Sequence, residues 1–211
     1  NGVRQTLHML NDVIPLVIHE VPTGTTVFDW TVPQEWNIRD AYIKNSKGDR
    51  VVDFQKSNLH VMGYSVPVSE TMSLAELLPR LYSLPEHPEW IPQRASYYKP
   101  NWGFSIAHND LVRLAEDQYE VRIDSTLSNG AMTYGECVIP GEQADEILFS
   151  THICHPSLCN DNLSGIVIAA YLAKAIAAMP KRRYTYRFLF VPTQLGSLAW
   201  LARNQQACRR I

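Results

Sequence analysis

The sequence predicts an α/β protein whose last third is a βαβ arrangement and whose earlier part is rich in hairpins. From residue 147 onward the apolar segments run strand, helix, strand, helix, the rhythm of a mainly parallel sheet flanked by helices. Before that point, short β-branched and aromatic runs are punctuated by Pro and Gly, as in a hairpin-rich region. A chain of 211 residues, 45% hydrophobic, is long enough to bury a core as one large domain or two small ones.

Taken in order, Val3, Leu7, Leu10 and Ile14 recur at helical spacing and predict a helix over 3–14, which Pro15 ends by removing an amide donor. Residues 16–21 read as a strand stopped by Pro22-Thr23-Gly24, and a second strand begins at Thr26 and breaks at Val32-Pro33. Segments 40–43 and 51–54 are strand-like on either side of the turn Lys47-Gly48-Asp49. Together these strands define a small β-rich subdomain over 16–70, leaving 1–15 and 71–211 to a partial α/β domain.

Ser73 with Glu76 three residues on is a capping box and predicts a helix over 74–82. The Pro-rich passage 85–92 is expected to be an ordered loop that packs Trp90 beside Tyr97, Tyr98, Trp102 and Phe104. Asn109-Asp110 would cap a brief helix. Residues 119–123 and 132–139 flank Ser128-Asn129-Gly130 as a hairpin. The βαβ segment follows, with strands over 147–149 and 184–191 and a helix over 163–178.

Composition excludes several functions. A net charge of -2 with 19% charged residues gives no nucleic-acid footprint, and Lys181-Arg182-Arg183 reads as a solvated corner. The most apolar helix, 163–179, carries Ser164 and Lys174 and falls short of the roughly 20 residues a membrane span needs. Four unevenly spaced cysteines, without a secretory signal, predict reduced thiols in a cytoplasmic protein. Homo-oligomerisation is left open. Asn1 stands where an initiating Met would be, and a single short helical stretch follows the last strand, so the chain is expected to be part of a longer α/β domain.

The chemistry gathers between Ile147 and Gly165, ILFSTHICHPSLCNDNLSG. The strand ends in Ser150-Thr151-His152, the chain turns through His155-Pro156, and Asn160-Asp161-Asn162 leads into the helix, at the place where an α/β sheet opens its ligand crevice. His152 and His155 are three apart and Asp161 follows six later; imidazole nitrogen and carboxylate oxygen are donors that Zn²⁺ accepts. A merely polar loop is the competing reading. A helix start beside Asp161 would favour its ionised form, and Gly165 would allow close backbone approach or simply tight helix-on-sheet packing.

Cys154 and Cys159 flank the same turn, as buried thiols, as ligands, or as a nucleophile with His155 for base; no third orienting group is identifiable. At the next strand end Thr193-Gln194 can bind or orient, but neither is a base near neutral pH. His19, His60, His87 and His108 stand alone and read as structural. Trp30, Trp36 and Trp102 read as packing residues, with Asp29-Trp30 and 37–40 as an alternative cleft lining.

Several unusual words carry a resemblance: Gly2-Val3-Arg4-Gln5-Thr6-Leu7, Phe28-Asp29-Trp30-Thr31-Val32-Pro33, Glu35-Trp36-Asn37-Ile38-Arg39-Asp40-Ala41-Tyr42, Ser57-Asn58-Leu59-His60, Cys154-His155-Pro156-Ser157, Asn160-Asp161-Asn162-Leu163-Ser164-Gly165 and the run from Tyr184 to Gly196-Ser197. In that order they resemble the aminopeptidase-like domain family of bacterial polysaccharide-biosynthesis loci, of DUF4910/DUF2172 type, related to the M28 zinc exopeptidases. The resemblance spans nearly the whole chain.

It implies a phosphorylase/hydrolase-like zinc exopeptidase fold with a zinc site at the strand ends. Asp161 fits the metal-binding Asp before the helix, and His155 is preferred to His152 as the histidine ligand, with both kept. Where the family usually carries an acidic pair, this chain has Thr193-Gln194, so its catalytic residues are not identified. The implied function is a zinc-dependent aminopeptidase-like hydrolase acting on a small peptide or an aminoacyl or amino-sugar substrate. The alternatives are an inactive exopeptidase-fold protein that binds a peptide or amino-sugar ligand, and an amidase acting on an acylated sugar.

Overall fold

The structure is a computed structural model and describes residues 2–97, 99–154 and 159–211. Its elements begin with α1 (Gly2–Asn11), β1 (Val17–Pro22), β2 (Thr26–Val27) and β3 (Trp30–Thr31). Then come β4 (Glu35–Lys44), β5 (Arg50–Asp53), β6 (Val68–Ser73), α2 (Leu74–Leu77), β7 (Leu81–Tyr82), β8 (Phe104–Ser105), α3 (His108–Leu111) and β9 (Gln118–Ser128). The chain closes with β10 (Ala131–Ile139), β11 (Glu146–His152), α4 (Leu163–Ala177), β12 (Thr185–Val191), α5 (Leu195–Arg203) and α6 (Gln205–Cys208).

Two units emerge, residues 1–35 with 129–211, and residues 36–128. The β-rich part therefore spans 36–128 where the sequence reading drew 16–70. The physical reason is pairing: β6 and β9 align from Val68↔Ile123 to Ser73↔Gln118, which keeps the intervening chain with them, whereas β1 joins the other sheet through Val17↔Glu136 to Pro22↔Ala131. In the same way Ser128-Asn129-Gly130 is not a hairpin turn, because β9 belongs to the sheet β5-β4-β9-β6 and β10 to the sheet β1-β10-β12-β11. Within the first unit Gln34 Nε2 donates to Asn129 Oδ1 at 3.3 Å.

In the first unit the sheet is mixed, not mainly parallel. β11 and β12 are parallel, but β10 runs antiparallel to both β1 and β12. The run TYRFLFV of β12 is apolar almost throughout because both its faces are covered. Phe188 and Phe190 join Leu7, Leu10, Ile166 and Ala170 of α1 and α4, while Leu189 and Val191 join Ala199 and Trp200 of α5. Each buried Phe contributes about 2–3 kcal/mol of transfer free energy, which makes this the mechanical centre of the unit. On α4 the inward positions Ile166, Ala170 and Ala173 follow helical spacing, and Leu163, Val167, Ile168 and Tyr171 on its other side are exposed.

A buried ion pair, Arg187 with Glu146, lies in this core. Arg187 donates to Glu146 through Nε at 2.6 Å and to Glu136 through Nη1 at 2.6 Å, Arg210 donates to Glu146 at 2.7 Å, and Trp200 Nε1 donates to Glu136 at 2.9 Å. Arg187, in an otherwise apolar strand, is buried because these partners satisfy its fork. Its hydrogen bonds to Glu146 hold that carboxyl below the usual range against the opposing effect of burial, and Arg210 adds to the lowering.

The second unit closes over Ile43, Leu77, Phe104, Val121 and Ile123. The capping box forms as expected, Ser73 Oγ accepting from Glu76 N and the Glu76 carboxylate accepting from Ser73 N. The helix over 74–82 is shorter than the sequence reading: after Leu77 the chain tightens into a 3₁₀ turn at Leu78–Arg80, where Pro79 contributes no amide hydrogen, and then enters β7. Asn109 and Asp110 lie within α3 and do not cap it, because its N-cap is Ala107. Trp90 does not enter a core; it is 59% exposed and stacks on His87.

Candidate metal centre

The site is built where β11 stops and α4 starts. Parallel register pairs His152 with Val191, and Ile153 N donates to Val191 O at 2.9 Å, so the C-terminal ends of β11 and β12 lie side by side. Ile153 is buried in the apolar cluster under α4. His152, the last residue of β11, and Cys154, just past it, flank this buried side chain.

Asn162 fastens this strand end to the helix. As the residue before α4 it would ordinarily cap its own helix, but its side chain makes no cap. Its Nδ2 donates instead to Thr151 Oγ1 at 2.5 Å and to His152 O at 3.0 Å. Gly165 leaves room for that arrangement, since a Cβ there would stand 2.2 Å from Asn162 Oδ1 and 2.8 Å from Thr151 Oγ1. An open groove runs past these groups, lined by Thr151, His152, Asn162, Gly165 and the apolar Phe149 and Ile168.

At its polar end His152 Nε2 lies 2.9 Å from Asp161 Oδ1. The imidazole is 30% exposed and the carboxylate 82%, so as a bare ion pair this contact is worth at most about 1 kcal/mol. Stability does not explain it. On the opposite nitrogen, Cys154 Sγ lies 3.6 Å from His152 Nδ1.

The structure thus brings His152 and Asp161 together. His155, preferred in the sequence reading, lies outside the described residues. Thr193 and Gln194 sit past the end of β12, both exposed, with Gln194 at φ 53° leading into α5. Among the described residues no three His, Cys, Asp or Glu side chains are grouped as a metal would need. The pair that is present fits zinc in kind, imidazole nitrogen beside carboxylate oxygen, as part of a donor set.

Sequence reading had no means of finding the Asn162 clamp or the Cys154 contact, although an Asn before a helix and a Cys two residues past a His were visible. A second hollow, lined by Arg187, Arg203 and Arg210, shares no residue with the groove, and its Arg187 and Arg210 are already paired with glutamates. Among the described residues none of Cys137, Cys154, Cys159 and Cys208 is in a disulfide. Among the described residues no helix is long and apolar enough to cross a membrane.

Comparison with solved structures defines the class of fold. A Bacillus subtilis zinc aminopeptidase aligns with 99% of this chain and 60% of its own at a TM-score of 0.61 and 10% identity. An M28 peptidase precursor from Shewanella amazonensis aligns with 99% and 63% at 0.63 and 12%. At such identities these matches establish an M28 aminopeptidase-like α/β fold and nothing finer.

A Clostridium acetobutylicum protein named for polysaccharide biosynthesis and an aminopeptidase-like domain is 54% identical over 211 residues, all of this chain and 48% of that protein. A crystal structure named as a peptidase from the same organism superposes with a TM-score of 0.96 at 55% identity, over 100% of this chain and 50% of that one. This chain belongs to the DUF4910 family, a domain of unknown function whose profile matches residues 1–211. It spans about half the length of the relative it matches.

Proposed function

We propose that this chain supplies part of the metal centre of a zinc-dependent aminopeptidase-like hydrolase. The observation that carries the reading is the His152 Nε2 to Asp161 Oδ1 approach of 2.9 Å at a strand end, a pairing that stability does not require, in a fold shared with zinc aminopeptidases. His152 and Asp161, with His155 as a further candidate, would hold the ion. Bound there, zinc would polarise an amide carbonyl and activate water.

The chain's own residues have narrower tasks. Asn162 keeps the strand end and the helix start in register, so that the imidazole and the carboxylate face one another. Phe149 and Ile168 give the groove an apolar wall against which a side chain of a small peptide, or the body of an aminoacyl or amino-sugar substrate, would rest. Thr193 and Gln194 offer hydrogen bonds and no general base.

That last fact favours a second reading, a protein of this fold that binds a peptide or amino-sugar ligand without turning it over. Measuring zinc by elemental analysis, together with turnover of aminoacyl amides and short peptides, separates the two. Zinc uptake and hydrolysis that both fall at least about 10-fold in Asp161→Ala support the hydrolase. Ligand binding without turnover, unaffected by zinc, supports the binding protein and overturns the first reading.

A further inference from the structure

We propose that the hollow beside α5 and α6 is a second ligand site, which takes a small-molecule oxyanion, a phosphate monoester or a carboxylate, carried on a body about the size of a sugar. It shares no residue with the groove at the start of α4 and does not depend on the zinc reading. The hollow has a volume of about 580 Å³, and Arg187, Arg203, Arg210, Gln205 and Gln206 line it. That volume lies in the range of small-molecule sites, roughly 300–1,000 Å³, and exceeds what a bare ion fills.

Around it donors outnumber acceptors. A guanidinium carries five N–H groups and no acceptor. Arg187, only 8% exposed, uses three of its five: Nε and Nη2 donate to Glu146 at 2.6 and 3.1 Å, and Nη1 donates to Glu136 at 2.6 Å. Arg210 uses two, Nε and Nη2 donating to Glu146 Oε1 at 2.9 and 2.7 Å. Arg203 forms no ion pair among the described residues, whereas Arg187 and Arg210 do.

The acceptors are exhausted first. Glu146 Oε1 takes two N–H groups from Arg210 and one from Arg187, and Glu136 Oε1 takes Arg187 and the Trp200 indole. Three guanidinium charges are set against two carboxylates, so one positive charge is left over. An oxyanion supplies both the missing charge and the missing acceptors, in a shape that guanidinium forks match. Gln205 and Gln206 add exposed carboxamides that both donate and accept, which suits the hydroxyl groups of a sugar.

The test is calorimetric titration of the 211-residue protein with glucose 1-phosphate, glucuronate, glucose and inorganic phosphate. At least one of the two charged sugars should bind saturably, glucose should not bind, and the tighter charged sugar identifies the oxyanion. Arg203→Gln removes the charge that lacks a partner, so it should keep the native unfolding curve and weaken binding about 10-fold or more. Arg203→Glu should abolish binding. Gln206→Ala should weaken the charged sugar more than inorganic phosphate.

Failure of both charged sugars to bind would overturn the proposal. So would binding that Arg203→Gln and Arg203→Glu leave unchanged, or binding of inorganic phosphate alone, an ion without the body that the hollow has room for. Zinc takes no part in these titrations, so their outcome and that of the metal reading are separate.

Discussion

Gly165→Ala tests whether the strand-to-helix joint is built as described. In an exposed helix this change stabilises by about 1 kcal/mol, and near a helix start by less. Here the new Cβ would stand 2.2 Å from Asn162 Oδ1 and 2.8 Å from Thr151 Oγ1, inside any tolerated contact. Asn162 is a short side chain and cannot swing aside without releasing both Thr151 Oγ1 and His152 O. Two hydrogen bonds at about 0.5–1.5 kcal/mol each set the loss at about 1–3 kcal/mol. Against the helical gain, the net is a destabilisation of about 1–2 kcal/mol, or roughly 3–6 °C in Tm for a chain of this length. Urea unfolding followed by circular dichroism measures it. A variant as stable as native, or more so, with an unchanged His152 ring environment, would show that Asn162 does not clamp the joint.

Other expectations come from the core. Arg187→Met removes the partner of two carboxylates and should cost about 3–5 kcal/mol, read from the same unfolding curves. Because Arg187 lowers the pKa of Glu146 on folding, the stability from this pair is complete above the ordinary glutamate range near pH ~4.3 and is lost as pH falls through the depressed value. Glu146→Gln should flatten that acid limb, and a native-like acid profile in the variant would refute the linkage. Cys137 is 1% exposed and burial raises its thiol pKa, whereas Cys159 is exposed. A maleimide should label Cys159 at once and Cys137 only after unfolding, and prompt labelling of Cys137 in the folded protein would contradict the core packing.

The βαβ segment was the most legible part of the sequence. Its strands and helix fall within a few residues of expectation because each is a long apolar run with clear punctuation, and the Ser73-Glu76 box marked its helix start directly. Pairing was not legible. Residues 128–130 carry a turn signature whether the strands on either side join each other or separate sheets, and only β6 and β1, each more than 45 residues away in sequence, decide it. At the site, residue types and spacing singled out Asp161, His155 and His152 as candidates, and the structure sets His152 2.9 Å from Asp161. They gave no sign that Asn162 would forgo its own helix for the preceding strand, because that choice depends on how closely α4 approaches β11 at Gly165.

The hydrogen bond between Gln34 and Asn129 has a consequence for chain closure. β1 must find β10 across more than 100 residues of sequence, a slow and entropically costly closure if the intervening chain is loose. Residues 36–128 form a unit of their own, with β4 beside β9, and the residues of the other unit that flank it in sequence, Gln34 and Asn129, lie within a hydrogen bond of each other at 3.3 Å. If that unit forms first, the effective loop would shrink to the few residues on either side of it and the closure cost would fall by roughly 2 kcal/mol. Prior folding of residues 36–128 would thus speed assembly of the sheet β1-β10-β12-β11.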